Sequence, residues 1–340
     1  MGWTRGHVLG RGSSATVSTA TSAATGEVFA VKSVVLSRSE TLQREQHFLS
    51  ILSSPYVVTY KGCDITKEDN NFMYNLLMQY MPGGTVIEAI NERGCGRLNE
   101  SEISTYTRQI IQGLEYLHGY GIVHCDIKGA NLLVGKTGVK IADFGCAKWA
   151  GESEGEPIRG TPMFMAPEVA RGEEQGFAAD VWALGCVVIE MATGGSPWVN
   201  VHEPEPASVL YKIAFSGESP SIPGGFSNQA KDFIGKCLIR DPKERWGATE
   251  LLKHPFVELL NCNMGQDLRV GSPTSMLDQY VWSSIEESES VCTDSNQPSC
   301  SSDSLRHRVE QLECNSEKGM WGVEEEISWM TIRTGGSGGA

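Results

Sequence analysis

Asp126, Lys128 and Asn131 lie within six residues of the chain, in a segment (124–131) predicted to be a loop between a long helix and a strand. A carboxylate in such a loop can accept or orient the proton of a hydroxyl group. An amide oxygen five residues further on is a hard ligand of the kind that Mg²⁺ prefers. The Lys128 ammonium can neutralise charge on a group in transfer, so the segment has the residue types for phosphate chemistry.

A second carboxylate of this kind stands in Asp143-Phe144-Gly145, at the end of a predicted strand over 139–142. The carboxylate suits Mg²⁺, the phenyl ring suits an apolar anchor, and the glycine suits a hinge. Each of these short motifs alone is also ordinary turn chemistry. Together, in this order and at this separation, they are improbable by chance.

A glycine-rich stretch near the start of the chain lies between two predicted strands. Glycines lack a Cβ, so their backbone N–H groups can come close to phosphate oxygens. Any tight hairpin also uses glycines, and the signal is weak by itself. A strand rather than a helix follows it, which excludes a dinucleotide fingerprint, and no Lys-Ser or Lys-Thr ends it as in a P-loop. The stretch reads Leu9, Gly10, Arg11, Gly12, Ser13, Ser14, Ala15, Thr16, Val17.

Two isolated charges fall on otherwise apolar faces of neighbouring predicted elements. In a predicted strand over 28–35, the period of two places Lys32 on a face with valine and alanine. In a predicted helix over 40–52, Glu45 falls within a leucine stripe at spacings of three and four. A buried charge requires an opposite partner, so we predict a buried Lys32–Glu45 pair. The alternative is that both charged groups reach solvent.

Further patterns outline the elements that must position these residues. Strands are predicted over 8–17 and 28–35, with Thr25-Gly26 as the turn between them. Residues 180–193 are apolar nearly all round, which is typical of a helix inside a large core. A long amphipathic helix is traced by Ile103, Tyr106, Ile110, Leu114 and Leu117.

Composition excludes several classes of function. The 340 residues carry a formal charge of −14, which argues against a broad nucleic-acid surface. No stretch reaches the roughly 18–20 apolar residues of a membrane span, so we expect no membrane insertion. The start of the chain lacks the apolar core of a signal peptide, and the ten cysteines show no paired spacing. We therefore expect reduced thiols and a cytoplasmic or nuclear location.

The character of the chain changes after His254-Pro255-Phe256. Residues 258–340 hold 14 acidic and 5 basic residues, together with 14 serines. Low hydrophobicity with high charge cannot offset the entropy lost on ordering, so we predict a mostly disordered, acidic, serine-rich regulatory tail. Two apolar patches, over 276–285 and 320–332, are stray apolar residues, segments that fold on a partner, or segments that dock back on the preceding domain.

With these motifs in this order, residues 3–257 resemble the eukaryotic protein kinase family. The resemblance implies an α+β fold with two lobes. A small β-rich N-lobe over about 1–80 precedes a larger helical C-lobe over about 83–257, and ATP and Mg²⁺ lie in the cleft between them. The tail over 258–340 follows this kinase domain.

The resemblance also implies a role for each motif residue. Asp126 matches the catalytic base, Lys128 the γ-phosphate contact, and Asn131 and Asp143 the metal ligands. Lys32 matches the lysine that contacts the α- and β-phosphates and pairs with Glu45. Residues 78–81 resemble the gatekeeper and hinge. ATP is expected to contact Leu9, Gly10, Arg11, Gly12, Ser13, Ser14, Ala15, Val17, Ala30, Lys32, Glu45, Met78 and Met81.

Residues outside the cleft match the family as well. Ala166-Pro167-Glu168 resembles the end of an activation segment that contains Ser153 and Thr161. Glu168 is expected to pair with Arg245, and Asp180 resembles the buried anchor of the central helix. The chain has Lys128 two residues after Asp126, and Thr161 in a Gly-Thr-Pro segment. In both features it resembles serine/threonine kinases rather than tyrosine kinases.

Finer similarity narrows the family. Residues 160–169 and 180–191 are similar to those of mitogen-activated protein kinase kinase kinases. The short amino-terminal edge, the Ser-Ser-Ala-Thr-Val loop and the acidic tail resemble the plant MEKK-type branch, including abscisic-acid and stress-linked members. This resemblance implies that MAP kinase kinases are the protein substrates, with upstream kinases or phosphatases as further partners.

Two positions depart from the family pattern. Ala15 replaces the third glycine of the loop, and Cys125 stands where the family usually has an arginine. That arginine binds a phosphorylated residue of the activation segment through charge-assisted hydrogen bonds that a thiol cannot make. We therefore hypothesise that activity depends less on phosphorylation of this segment than in relatives with the arginine. The alternative is that Arg159 or Lys148 contacts the phosphate instead.

Three functions compete at this point. The first is an active kinase that phosphorylates protein serine and threonine, and the second is a pseudokinase scaffold without activity. Lys32, Asp126, Asn131 and Asp143 are all present, which favours the active enzyme. The third is an active serine/threonine kinase outside the MAP kinase tier.

Overall fold

A computed structural model describes residues 2–12, 15–152, 158–198 and 206–258. Ser13, Ser14 and Ser153 from the predicted site lie outside the described residues. The predicted disordered tail lies outside them as well, from residue 259 onward.

The amino-terminal part is an antiparallel sheet of five strands in the order β1-β2-β3-β5-β4. The prediction of a single strand over 8–17 is wrong, because the chain reverses inside that range. Gly10 pairs with Val17 across the resulting hairpin, and Arg11 pairs with Thr16. The strands are β1 (Trp3–Arg11), β2 (Thr16–Ser22), β3 (Val28–Val35), β4 (Tyr60–Glu68) and β5 (Asn71–Gln79).

Helix α1 (Glu40–Ile51) contacts β4 and β5 and also the turn at 144–146. It buries Leu42, Glu45, Phe48 and Leu49 on one side. These positions follow the spacing of three and four that predicted the helix. The predicted end at residue 52 is one residue too long, since Leu52 is extended.

The larger part of the chain is helical and is built around α5 (Phe177–Thr193), whose residues are almost all buried. The long amphipathic helix α3 (Glu100–Gly119) packs against it and begins at a capping box between Asn99 and Glu102. The other helices are α2 (Val86–Asn91), α4 (Pro167–Ala170), α6 (Pro206–Phe215), α7 (Asn228–Cys237), α8 (Ala248–Leu251) and α9 (Pro255–Glu258).

Two small two-stranded sheets frame the predicted motifs. β6 (Ile122–Val123) pairs with β9 (Lys148–Trp149), and β7 (Leu132–Gly135) pairs with β8 (Gly138–Ile141) in a hairpin. This β7–β8 hairpin is bonded to the chain that links the lobes. The Gly83 N–H donates to the Val134 carbonyl at 3.0 Å, and the Val134 N–H donates to the Gly84 carbonyl at 2.8 Å.

The bilobal α+β fold is therefore the one that the sequence predicts. Within the residues that the structure describes, no helix combines the length and apolarity that a membrane crossing requires. The six cysteines among them are all free thiols.

Candidate active site

The segment 124–131 is held from below by the first charged residue of α5. One carboxylate oxygen of Asp180 accepts from the His124 N–H and the other from the Cys125 N–H, both at 2.9 Å. His118 lies 3.0 Å from the same carboxylate. Cys125 has a φ of +67°, a conformation that residues with a Cβ seldom adopt. These bonds hold a strained backbone in place directly before Asp126.

Asp126, Lys128 and Thr161 form a closed network. The Thr161 hydroxyl donates to Asp126 Oδ1 at 2.7 Å, and Lys128 Nζ donates to the Thr161 oxygen at 2.7 Å. Lys128 Nζ also lies 3.0 Å from Asp126 Oδ2. The predicted catalytic carboxylate, the predicted phosphate contact and one activation-segment residue are thus brought together.

Asn131 orients Asp126 from the other side. Its amide nitrogen donates to the Asp126 carbonyl at 2.8 Å and to Asp126 Oδ2 at 2.9 Å. Because the nitrogen faces Asp126, the amide oxygen of Asn131 is left as an acceptor. An amide oxygen and a carboxylate are hard donors that suit Mg²⁺, so Asn131 and Asp143 fit the predicted role of metal ligands.

Lys32 is bonded to two carboxylates at the back of the cleft. Its Nζ lies 2.8 Å from Glu45 Oε2 and 3.1 Å from Asp143 Oδ1. The prediction of a buried Lys32–Glu45 pair is confirmed, since the Glu45 side chain is only 2% exposed. Burial lowers the pKa of Lys32, but the two carboxylates outweigh it and raise that pKa overall. Burial raises the pKa of Asp143, but the Lys32 ammonium lowers it by more. The pKa of Asp143 is therefore below its usual value, and the carboxylate stays ionised.

The residues around Asp143 connect the two halves of the site. Asp143 has a φ of +64°, and its carboxylate accepts from the Gly145 N–H. Phe144 is fully buried and packs edge-on against the His124 ring, with ring centroids 5.0 Å apart. His124 accepts from the Asp126 N–H at Nδ1, so its Nε2 donates to the Ala142 carbonyl at 3.1 Å. His124 thus ties the segment of Asp126 to the strand end of Asp143.

The residues predicted to contact ATP border the sheet side of the cleft. Ala30 pairs with Met78 across β3 and β5, and both are buried, as is Met81. Val17 is partly buried against the same core. Leu9, Gly10, Arg11, Gly12 and Ala15 form the described part of the β1–β2 hairpin, where the Gly12 N–H donates to the Ala15 carbonyl at 2.8 Å. Contact of these residues with ATP stays a prediction.

The expected pair between Glu168 and Arg245 is confirmed. Two parallel bonds join the guanidinium to the carboxylate, at 2.7 and 3.0 Å. Both side chains are almost completely buried. The pair fixes the end of the activation segment to the helical core, below the catalytic network.

Three residues that contact the site are not predicted from the sequence. His124 lies within the predicted segment 124–131, but its backbone partners have no sequence signature. Gln175 donates to the carbonyls of Cys125 and Arg159, at 3.3 and 3.1 Å. Glu190 accepts from the Gly129 N–H at 3.0 Å. Glu190 carried the signal that identified Lys32 and Glu45, a lone charge in an apolar stretch.

An antiparallel sheet above a helical lobe, with an ion pair reaching a paired carboxylate and amide in the cleft, defines the protein kinase class of fold. The family model described as protein kinase domain matches residues 3–257. The chain belongs to this family and is a serine/threonine protein kinase, a family that uses ATP.

Named relatives confirm the predicted similarity to plant MEKK-type kinases. The chain is 53% identical over 294 residues to mitogen-activated protein kinase kinase kinase 18 of Arabidopsis thaliana, which covers 84% of this chain and 86% of the relative. It is 50% identical over 293 residues to kinase kinase kinase 17 of the same plant, covering 84% and 78%. Mitogen-activated protein kinase kinase kinase A of Dictyostelium discoideum is 40% identical over 288 residues, covering 81% and 30%.

Proposed function

We propose that this kinase is a MAP kinase kinase kinase. It transfers the γ-phosphoryl group of ATP, with Mg²⁺ as cofactor, to serine and threonine in the activation loops of MAP kinase kinases. Its cascade responds to stress or to a hormone such as abscisic acid. We place it in the cytoplasm or the nucleus, because its ten cysteines show no paired spacing.

The chemistry rests on the network around Asp126. With Thr161 and Asn131 holding both of its oxygens, the Asp126 carboxylate is oriented to accept the proton of an incoming hydroxyl group. Lys128 lies beside it and can neutralise charge on the transferred group. Lys32, held in place by Glu45, would contact the α- and β-phosphates, and Asn131 and Asp143 would hold Mg²⁺, which would neutralise the phosphates.

One observation carries the choice of substrate. The similarity to two plant proteins named as MAP kinase kinase kinases extends over 84% of this chain, beyond the bare catalytic motifs. The second candidate is a serine/threonine kinase outside this tier. The same active-site geometry supports this second candidate equally well, because the geometry does not depend on which protein is phosphorylated.

The test uses purified plant MAP kinase kinases that carry an inactivating substitution, so that they cannot phosphorylate themselves. We expect the chain to phosphorylate activation-loop residues of at least one of them much faster than unrelated protein acceptors. The Asp126→Asn variant keeps the size of the side chain and should lose about 100-fold or more in rate, because an amide cannot act as a base. Equal rates on all acceptors would place the enzyme outside the MAP kinase tier.

A further inference from the structure

Helix α5 contains two acidic residues, Asp180 and Glu190, in an otherwise apolar segment. They are ten residues apart, which corresponds to about 15 Å along a helix. Asp180 holds the start of residues 124–131, the catalytic segment, by accepting from the His124 and Cys125 N–H groups. Glu190 lies at the other end of the helix and takes no part in the chemistry described so far.

The Glu190 carboxylate is bonded to the far end of the same catalytic segment. Its Oε2 accepts from the Gly129 N–H at 3.0 Å. Gly129 begins a single helical turn (Gly129–Asn131), and the side chain of the preceding Lys128 does not cap it. The first N–H groups of a helical turn have no partner within the turn, and a carboxylate is a preferred acceptor there. Glu190 therefore caps this turn from a distant helix.

The fit between Glu190 and Gly129 is close. A Cβ at position 129 would lie 2.5 Å from Glu190 Oε2 and 2.6 Å from Ile87 Cδ1. Any larger residue at 129 would push away either the carboxylate or the apolar side chain of α2. The absence of a side chain at this position is what allows Glu190 to reach the backbone.

We propose that Glu190 is a positioning residue for phosphoryl transfer. By holding the Gly129 N–H, it fixes the peptide that follows Lys128 and the turn that presents Asn131. Helix α5 then secures the catalytic segment at both ends, with Asp180 at residues 124–125 and Glu190 at residue 129. This inference rests on the kinase activity of the family and not on the proposal that MAP kinase kinases are the substrates.

The surroundings of Glu190 disfavour the ionised form of its carboxyl group. Burial raises the pKa of Glu190 to about 7, even though the Gly129 N–H and the Lys128 ammonium lower it. Lys128 is the charged group of the catalytic segment that faces it, while Ile87 of α2 is apolar. The fold thus keeps a partly buried carboxyl beside the predicted phosphate contact, where a neutral side chain would be easier to accommodate.

The test compares three substitutions at this position, measured with ATP and a generic protein acceptor of serine and threonine phosphorylation. Glu190→Asp shortens the side chain, and Glu190→Ala removes it, so both lose the bond to Gly129. We expect each to lower kcat about tenfold, the effect of one lost charge-assisted bond that orients reacting groups. Glu190→Gln keeps an oxygen that can accept this bond and should retain most of kcat. The KM for the acceptor should change less than twofold in all three.

A matched control is available in Glu250, whose exposed carboxylate caps the start of α8 by accepting from the Gly247 N–H at 2.8 Å. Glu250→Ala removes a comparable bond far from the cleft and should leave kcat unchanged. The proposal is overturned if the Asp and Ala variants keep the wild-type kcat, if the Gln variant loses as much as they do, or if only the KM for the protein acceptor rises. Since the acceptor is generic, a wrong assignment of the natural substrate does not affect the result.

Discussion

At the scale of single residues, geometry decides how much an ion pair contributes. Arg245 makes two parallel bonds to Glu168 and further bonds to the carbonyls of Ala178 and Ile239, at 2.6 and 2.8 Å. Its guanidinium also lies over the Trp182 ring, 5.2 Å from the centroid. Only the planar, forked guanidinium can satisfy all of these partners together, because a lysine ammonium offers a single point of charge.

We therefore expect Arg245→Lys to lower the free energy of unfolding by about 3 kcal/mol, since it leaves buried acceptors unsatisfied. Urea unfolding followed by tryptophan fluorescence measures the change. The matched control is Arg171→Lys, which alters an exposed pair with Glu173 at 2.6 Å and should change stability by less than about 0.5 kcal/mol. Similar losses in the two variants would contradict the role assigned to buried geometry.

Some contacts of single residues can be predicted from the sequence, and others cannot. The Lys32–Glu45 pair was predictable because two opposite charges interrupt two apolar faces of known period. The same kind of interruption marks Glu190, but its partner is a backbone N–H, which carries no signature in the sequence. The His124 bonds to Ala142 and Asp126 share this property. A pair of opposite charges on two periodic apolar faces is therefore predictable here, whereas bonds to the backbone require the structure.

At the scale of elements, the end of the activation segment is attached to the catalytic segment by neutral groups. Gln175 bridges the carbonyls of Cys125 and Arg159. Gly160 has a φ of +115°, and a Cβ there would collide with the Cys125 carbonyl. The Thr161 hydroxyl completes the attachment. A phosphate on Thr161 would place negative charge against Asp126, so Thr161 is poorly suited to activation by phosphorylation.

These contacts support the hypothesis that Cys125 makes the kinase less dependent on phosphorylation of this segment. Burial raises the pKa of the Cys125 thiol, and the neighbouring Asp180 carboxylate raises it further, so the thiol stays neutral and unreactive. We expect the kinase to keep at least about half of its rate after phosphatase treatment, as checked by mass spectrometry and a transfer assay. Loss of activity together with phosphate from Ser153 or Thr161 would contradict this.

The alternative contact for a phosphate also has a place in the structure. Lys148 is 8% exposed and lines a cavity of about 200 Å³ between α1 and the activation segment, together with Arg44, His47 and Arg159. If Lys148 binds a phosphate that activates the kinase, phosphatase lowers the wild-type rate, and Lys148→Ala lowers the rate of the untreated kinase by a similar factor. If activity does not depend on that phosphate, the Lys148→Ala variant keeps nearly the wild-type rate, both before and after phosphatase treatment.

Elements were predicted best where one period continued through them. The helix at 40–52 and the apolar helix at 180–193 were placed to within a few residues, since burial on one side or all round fixes their pattern. The strand at 8–17 was wrong because no apolar period runs through residues 10–14, and the chain reverses between the end of β1 at Arg11 and the start of β2 at Thr16. The glycine-rich stretch, which predicts a boundary between two strands, is the better guide there.

At the scale of the whole molecule, the fold holds two carboxyl groups in places that disfavour their ionised form. Burial raises the pKa of both Glu45 and Glu190 above the usual value of 4.5, although the Lys32 ammonium lowers the pKa of Glu45 and the Gly129 N–H and Lys128 ammonium lower that of Glu190. Between 4.5 and the raised value, the folded protein binds more protons than the unfolded chain. The contribution of each raised pKa to stability is thus fully present below 4.5 and is lost as the pH rises through about 7. The fold of this kinase should accordingly be favoured by mildly acidic rather than alkaline pH at these two sites.

Glu190→Gln isolates one of these contributions, because the amide does not titrate in this range. At pH 8 the wild-type carboxylate is ionised and partly buried, so the variant should have the higher Tm. At pH 6 the wild-type carboxyl is mostly protonated and resembles the amide, so the difference in Tm should shrink. Differential scanning calorimetry at both pH values measures this, with Glu250→Gln as an exposed control whose Tm difference should not depend on pH. A difference that is constant or grows toward pH 6 would show that the Glu190 pKa is not raised, and that the bond to Gly129 costs the fold nothing.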